Sequence, residues 1–256
     1  TSVLLPPRSR TVIPVSCAEQ GRWRHVSHEF TSGSYSPAGL RARKSRDVSH
    51  NLRTVGRASS NQEAVWDEVT ETVVCLHTPS PTMAMHDLVE QNQNSLNAYV
   101  GALDYAVGAC GVVAAIDGRF VAVDLFDKSQ TLELIWPRLV AGYAIDTIAR
   151  RLVKTGGTGK HRRFSAKGAR ALLERLGQMS CVACPSVGVG EDWRFETPDI
   201  LGQALIVPAG VKTGPDGRDQ RVSIHLSAFP NDPPLRSTDR VFAILPPSHR
   251  RPRRSQ

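Results

Sequence analysis

A chain of 256 residues, 40% apolar and 22% charged, is long enough to bury a real core and too ordinary in composition to be a disordered or fibrous protein. No stretch reads as a signal peptide or membrane span, since the longest apolar run, around Ala109 to Ile116, is about half of the roughly 20 residues a spanning helix needs. Five cysteines, an odd number, make no disulfide framework, so a reducing cytoplasm is the expected setting.

The net charge of +8 is unevenly spread. From Ala58 to Gly118 there is no Lys or Arg, against eight acidic residues, whereas Arg150 to Arg175 carries nine basic residues and one acid, Glu174. Four further arginines close the tail "PPSHRRPRRSQ". The basic stretch at 150–175 and the tail therefore point to nucleic acid as one class of partner, although no nucleic-acid reading motif accompanies them.

In chain order, "TSVLLPP" begins as a strand already under way, so the chain is expected to lack its natural start. Ser2 to Leu5 and Thr11 to Val15 predict two short strands broken by Pro6 and Pro7. Ser36-Pro37 reads as a helix opening with a capping serine, and the helix runs to about Val55 with Leu40, Val48, Leu52 and Val55 on one side. Ser60 to Glu63 fits a capping box ahead of a helical stripe of Val65, Trp66, Val69, Val73 and Leu76. A third helix is expected to carry Leu88, Val89, Leu96, Tyr99, Val100 and Leu103.

The period then changes. "GVVAAIDGRFVAVDLF" places two β-rich runs around Asp117-Gly118, the pair a type I′ hairpin turn prefers. Ser129 to about Val153 predicts a helix with Leu132, Trp136, Leu139, Val140 and Tyr143 inward and Pro137 inside it. "KTGGTGKHRR" fails the phosphate-loop pattern, which needs a glycine at Lys154 and a hydroxyl at His161, and reads as a basic linker. Ser165 opens a short helix ending near Gly177. Strands follow at Cys181 to Val189, Trp193 to Phe195, Ile200 to Val207 and Arg221 to Phe229. The sum is a single α+β domain over 1–230, a largely antiparallel sheet with a layer of several helices on one side. A Pro- and Arg-rich disordered tail is expected over 231–256.

Two loops carry the candidate chemistry. The first holds Cys17, Glu19, Arg22, Trp23 and Arg24; the second, "VGVGEDWRF", holds Glu191, Asp192 and Arg194 behind Gly188 and Gly190. Glu19, Glu191 and Asp192 are the catalytic candidates, as acid, base or ligands of Mg²⁺, and Arg22, Trp23 and Arg194 suit a phosphate and a base or ribose face. Glycines there allow close approach of a ligand. The plainer reading pairs Glu with Arg across each turn and packs the tryptophans as core. Cys17 has no local histidine as a base. Cys181 and Cys184 form a single CxxC without the second pair that structural zinc needs, and no metal centre is expected. His225, in an alternating strand with Ser223 and Ser227, reads as an ordinary hydrogen-bonded histidine.

The runs "TSVLLPPRSRTVIPVSCAEQGRW", "SPAGLRARKSRDVSHNLR", "QEAVWDEV", "AVDLFDKSQTLELIWPRLVAGYAID", "SVGVGEDWRF" and "IHLSAF" resemble a bacterial family, the ARG and Rhodanese-Phosphatase-superfamily-associated protein domain (ARPP). The likeness covers about 1–230. It implies that further N-terminal strands and a polar stretch belong upstream. It also adds Asp124 and Asp127 of "VDLFD" to the ligand-binding candidates. The association in its name implies a setting in ADP-ribose, nucleotide or RNA-repair metabolism and a small phosphorylated ligand, with no catalytic residue carried over. Enzyme, binding module and adaptor all remain open at this level.

Overall fold

The computed structural model describes residues 2–19, 36–80, 82–152, 164–208 and 221–231. Arg22, Trp23, Arg24, the loop Lys154 to Arg163 and the tail beyond Asn231 lie outside them.

One sheet organises the molecule. Its strands are β1 (Gly111–Ile116), β2 (Arg119–Phe126), β3 (Val182–Pro185), β4 (Glu191–Glu196), β5 (Ile200–Pro208) and β6 (Arg221–Pro230). They lie in the order β1-β2-β6-β5-β4-β3, and every neighbouring pair is antiparallel. The hairpin between β1 and β2 turns at Asp117 and Gly118, whose φ values of 51° and 75° are the left-handed geometry that this dipeptide tolerates.

The helices are α1 (Ala38–Val55), α2 (Gln62–Cys75), α3 (Met85–Gln91), α4 (Gln93–Ala102), α5 (Ser129–Leu152) and α6 (Ala166–Gly177). Successive residues of a strand face opposite sides. Ala122, Leu201 and Phe229 pack with Ala38 of α1, while their neighbours Val123, Ile200 and Ala228 pack with Leu172 and Leu176 of α6. The sheet is thus covered on both faces: α1 to α5 gather on one, through a core of Leu40, Val65, Val69, Leu88, Leu96 and Ile145, and α6 alone lies on the other. The fold is α+β with a single sheet, as the sequence predicts, with α6 split off from the helical layer.

Local chemistry departs from expectation in four places. The single helix expected across Leu88 to Leu103 breaks at Asn92 into α3 and α4, and Leu103 is left exposed. The capping residue of α2 is Asn61, whose side chain accepts from the amides of Glu63 and Ala64, because Ser60 is engaged with Ser16 at 2.5 Å. At α1 the side chain of Ser36 does not cap; the amide of Ala38 donates to the Asp146 carboxylate of α5 at 2.6 Å, an anion placed at the positive end of a helix. Lastly, the opening segment forms no strands. It forms an isolated bridge between Leu4 and Val189 of the turn joining β3 to β4, and Val12 and Val15 are 84% and 86% exposed. No helix among the described residues is long and apolar enough to cross a membrane.

Candidate functional site

The opening segment, residues 2–19, runs as a strap over the helix-covered side of the molecule. The amide of Val189 donates to the carbonyl of Leu4 at 2.8 Å, and that approach leaves no room for a Cβ on Gly188. The close contact that this glycine permits is therefore with the chain's own strap. Further along, the amide and carbonyl of Cys17 bond the side chain of Gln62 at 2.8 and 2.7 Å. At its far end Glu19 pairs with Ala84 and accepts from the amide of His86 at 3.1 Å, so its carboxylate serves the first turn of α3.

Of the other candidates, Glu191 and Asp192 fall on opposite faces of β4. Glu191 accepts from the indole of Trp193 at 2.8 Å and pairs with Arg221, which also lies over the Trp193 ring at 5.5 Å. The Trp193 hydrogen bond, opposed by desolvation and helped by Arg221, lowers the pKa of its carboxyl. Asp192 and Arg194 point under α1: they pair at 2.7 Å, each 5% exposed, and Arg194 also donates to the Ser45 carbonyl and the Ser49 hydroxyl. Glu19 and Glu191 thus engage different elements, and the two carboxylates of the second loop are separated by the pleat of the strand. Among the described residues no group of three or more His, Cys, Asp and Glu could hold a metal ion. Asp127 lines a cavity of about 230 Å³ beside Thr131 and Ile135.

Asp124 is the centre of the polar interior. Its side chain is fully buried on β2, facing α1 and α5. Arg41 of α1 grips both carboxylate oxygens, with Nη1 at 3.0 Å from Oδ2. The hydroxyl of Tyr143 on α5 donates to Oδ2 at 2.5 Å, the hydroxyl of Ser227 on β6 donates to Oδ1 at 2.8 Å, and Nε2 of His225 lies 3.2 Å from Oδ1. Burial alone would raise the Asp124 pKa; the charge of Arg41 and the bonds from His225 and Arg41 outweigh it and hold the carboxyl well below its ordinary value. The same burial, with the Asp124 charge beside it, pushes the Tyr143 phenol up. The ring of His225 stacks on Phe126 at 4.3 Å, and its Nδ1 meets the hydroxyl of Ser2 on the strap at 2.5 Å. A bulge between Leu205 and Ile206 shifts the β5–β6 register there, so Ile206 faces Ser223 and the alternation that groups His225 with Ser227 stops short of Ser223.

This network forms the floor of a cavity of about 350 Å³ enclosed by α1, the strap, the sheet and the turn before α2. Seven serines line it: Ser2 and Ser16 of the strap, Ser36 and Ser45 at α1, Ser59 and Ser60 of the turn, and Ser227. Two cations reach it from α1. Arg41 is matched by Asp124. Lys44 is half-buried and makes no ion pair or hydrogen bond among the described residues, and burial lowers its pKa.

Reading the sequence did not single out Arg41, Lys44, Tyr143 or Ser2 as site residues. Arg41 and Lys44 look like ordinary surface cations in a basic helix. The available signal was the run of small residues Ala38, Ala42, Ser45 and Ser49 at helical spacing, which lets α1 lie close on the sheet and brings its cations into the interior. The network draws on four of the stretches quoted above: Ser2, Arg41, the pair Asp124 and Tyr143, and the pair His225 and Ser227.

One family model, described as the ARG and Rhodanese-Phosphatase-superfamily-associated Protein domain, matches residues 1–229. No curated protein and no solved structure matches the chain.

Proposed function

Taking as premise that the chain belongs to the ARG and Rhodanese-Phosphatase-superfamily-associated Protein domain family, we propose that it binds a small phosphorylated compound, of the nucleotide or ADP-ribose class, in the serine-lined cavity beneath the strap. One observation carries the reading: Lys44, a half-buried cation with no ion pair or hydrogen bond among the described residues, stands in a cavity to which seven serines contribute. Keeping an ammonium group partly out of water without an anion costs stability, and a bound phosphate supplies that anion. Arg41 adds no free charge, because Asp124 balances it, so the cavity's charge demand is for an anion. The hydroxyls donate to phosphate oxygens or accept from ribose hydroxyls. A volume near 350 Å³ lies at the lower end of the range for small-molecule sites, which runs from about 300 to 1,000 Å³.

Thermal unfolding of the full chain tests this with ADP-ribose, AMP and inorganic phosphate, each with and without Mg²⁺. A ligand at about 100 times its Kd stabilises by about 2.7 kcal/mol. The expected result is a rise in Tm with at least one nucleotide or ADP-ribose, lost in Lys44→Met. No rise with any compound, or the same rise in Lys44→Met, overturns the reading.

A further inference from the structure

Ser2 and His225 line both cavities, so this pair lies between the two. The partners of Asp124 fix the proton on the neutral His225 ring. An ionised carboxylate only accepts, and Arg41, Tyr143 and Ser227 all donate to Asp124. Nε2, 3.2 Å from Oδ1 of this carboxylate, is therefore the protonated nitrogen, and Nδ1 keeps its lone pair. The Ser2 hydroxyl, 2.5 Å from Nδ1, then points its hydrogen at that lone pair. Stacking on Phe126, with the two planes 8° apart, holds the ring in this orientation. Ser227 is also near the ring, but it is 2% exposed and its hydroxyl is spent on Asp124.

Carboxylate, imidazole and hydroxyl in this sequence make up a nucleophilic relay, with the two ring nitrogens exchanged relative to the familiar serine hydrolase order. We propose that Ser2 is a nucleophile and His225 its general base in hydrolysis of an ester bound in the cavity, with Asp124 as a positioning residue. That the ester is a phosphoric one rests on the reading of the cavity given above. In the first step Oγ of Ser2 forms a bond to phosphorus while Nδ1 of His225 takes the hydroxyl proton. The bond from phosphorus to the ester oxygen breaks, its electron pair leaves with that oxygen, and His225 returns the proton to the departing alcohol. In the second step water gives its proton to Nδ1 and attacks phosphorus. The bond to Oγ breaks and Ser2 recovers its hydrogen, releasing phosphate.

Diisopropyl fluorophosphate tests the relay without a phosphate-binding subsite, because it is uncharged. Attack by Oγ expels fluoride with the electron pair of the P–F bond, the proton passes through His225 to solvent, and the adduct is stable. The expected result with the full chain is a single adduct mapped to Ser2 by peptide mass spectrometry. It is absent in Ser2→Ala and forms at least about 100-fold more slowly in His225→Gln, the range for loss of a general base. Nitrogen-15 spectra of the unaltered protein test Asp124 separately: the neutral His225 ring is expected to carry its proton on Nε2. No adduct at Ser2 in the unaltered chain, equal labelling in His225→Gln, or a proton on Nδ1 overturns the proposal. If labelling succeeds while no phosphate compound raises Tm, the relay stands and the ligand class falls.

Discussion

Replacing Asp124 by asparagine removes one charge from a site built around it. The amide keeps the shape and one acceptor oxygen, but its NH₂ now faces groups that themselves donate. Arg41, with a side chain 14% exposed, is left as a buried cation without its anion. Breaking a buried ion pair on one side costs about 3–5 kcal/mol, and a stranded hydroxyl of Tyr143 or Ser227 adds to it. Against a total stability of about 5–15 kcal/mol for a domain, Asp124→Asn is expected to remove about a fifth or more. Urea unfolding followed by circular dichroism at pH 7 reads the loss directly. Replacing both partners, Arg41→Met with Asp124→Leu, is expected to cost less than Asp124→Asn alone, since no charge is then stranded. The folded pKa of Asp124 is depressed, so its stabilisation is present above the unfolded value of about 3.9 and is lost as pH falls below it. The unaltered protein should weaken through that acid range and Asp124→Asn should weaken less steeply. A loss under about 1 kcal/mol at pH 7, with the same acid profile in both proteins, refutes the account of Asp124 as the electrostatic centre.

Gly202→Ala drives a methyl group into the Phe195 ring and the carbonyl of Ser227 across the sheet, and is expected to cost about 1–3 kcal/mol in the same urea assay. Asn61→Ala removes the acceptor for the amides of Glu63 and Ala64 and is expected to cost about 1 kcal/mol. Lys44→Met without ligand is expected to raise Tm at pH 7. Because burial lowers the Lys44 pKa, the penalty of its charge is full below the folded value and is relieved as pH rises toward the unfolded value of about 10.4, so the gain in Lys44→Met should shrink by pH 10.

The parts of the fold that the sequence made legible are those settled by neighbours in the chain. Asp117-Gly118 announces a hairpin because both positions need positive φ, and Ser165 announces α6 because its hydroxyl reaches the amide of Gly168. Tertiary contacts decided the rest. Asn61 displaced Ser60 as a cap because the strap takes Ser60, and α1 buries Ala38, Leu40, Ser45, Val48 and Ser49 while Val55 is left in water. Of the site, Asp124 was named only through the family's recurring motif. Nothing local indicates that Arg41, Asp124, Tyr143 and His225 meet, since the contacts with Asp124 span 83, 19 and 101 positions. The second loop's residues were visible, but alternation along β4 sends Glu191 and Asp192 to opposite sides, a consequence of strand pairing that composition does not reveal.

The strap is tied down at Ser2, at Leu4, at Ser16 and Cys17, and at Glu19, with Thr11 to Val15 forming no ladder between. Breaking a few such ties costs far less than melting β5 and β6, so amide hydrogens of the first 16 residues are expected to exchange with solvent well ahead of those in the central strands. On the proposed reading of the cavity, traffic of guest molecules would follow this local fraying, and variants that toughen the sheet would leave entry and departure rates untouched.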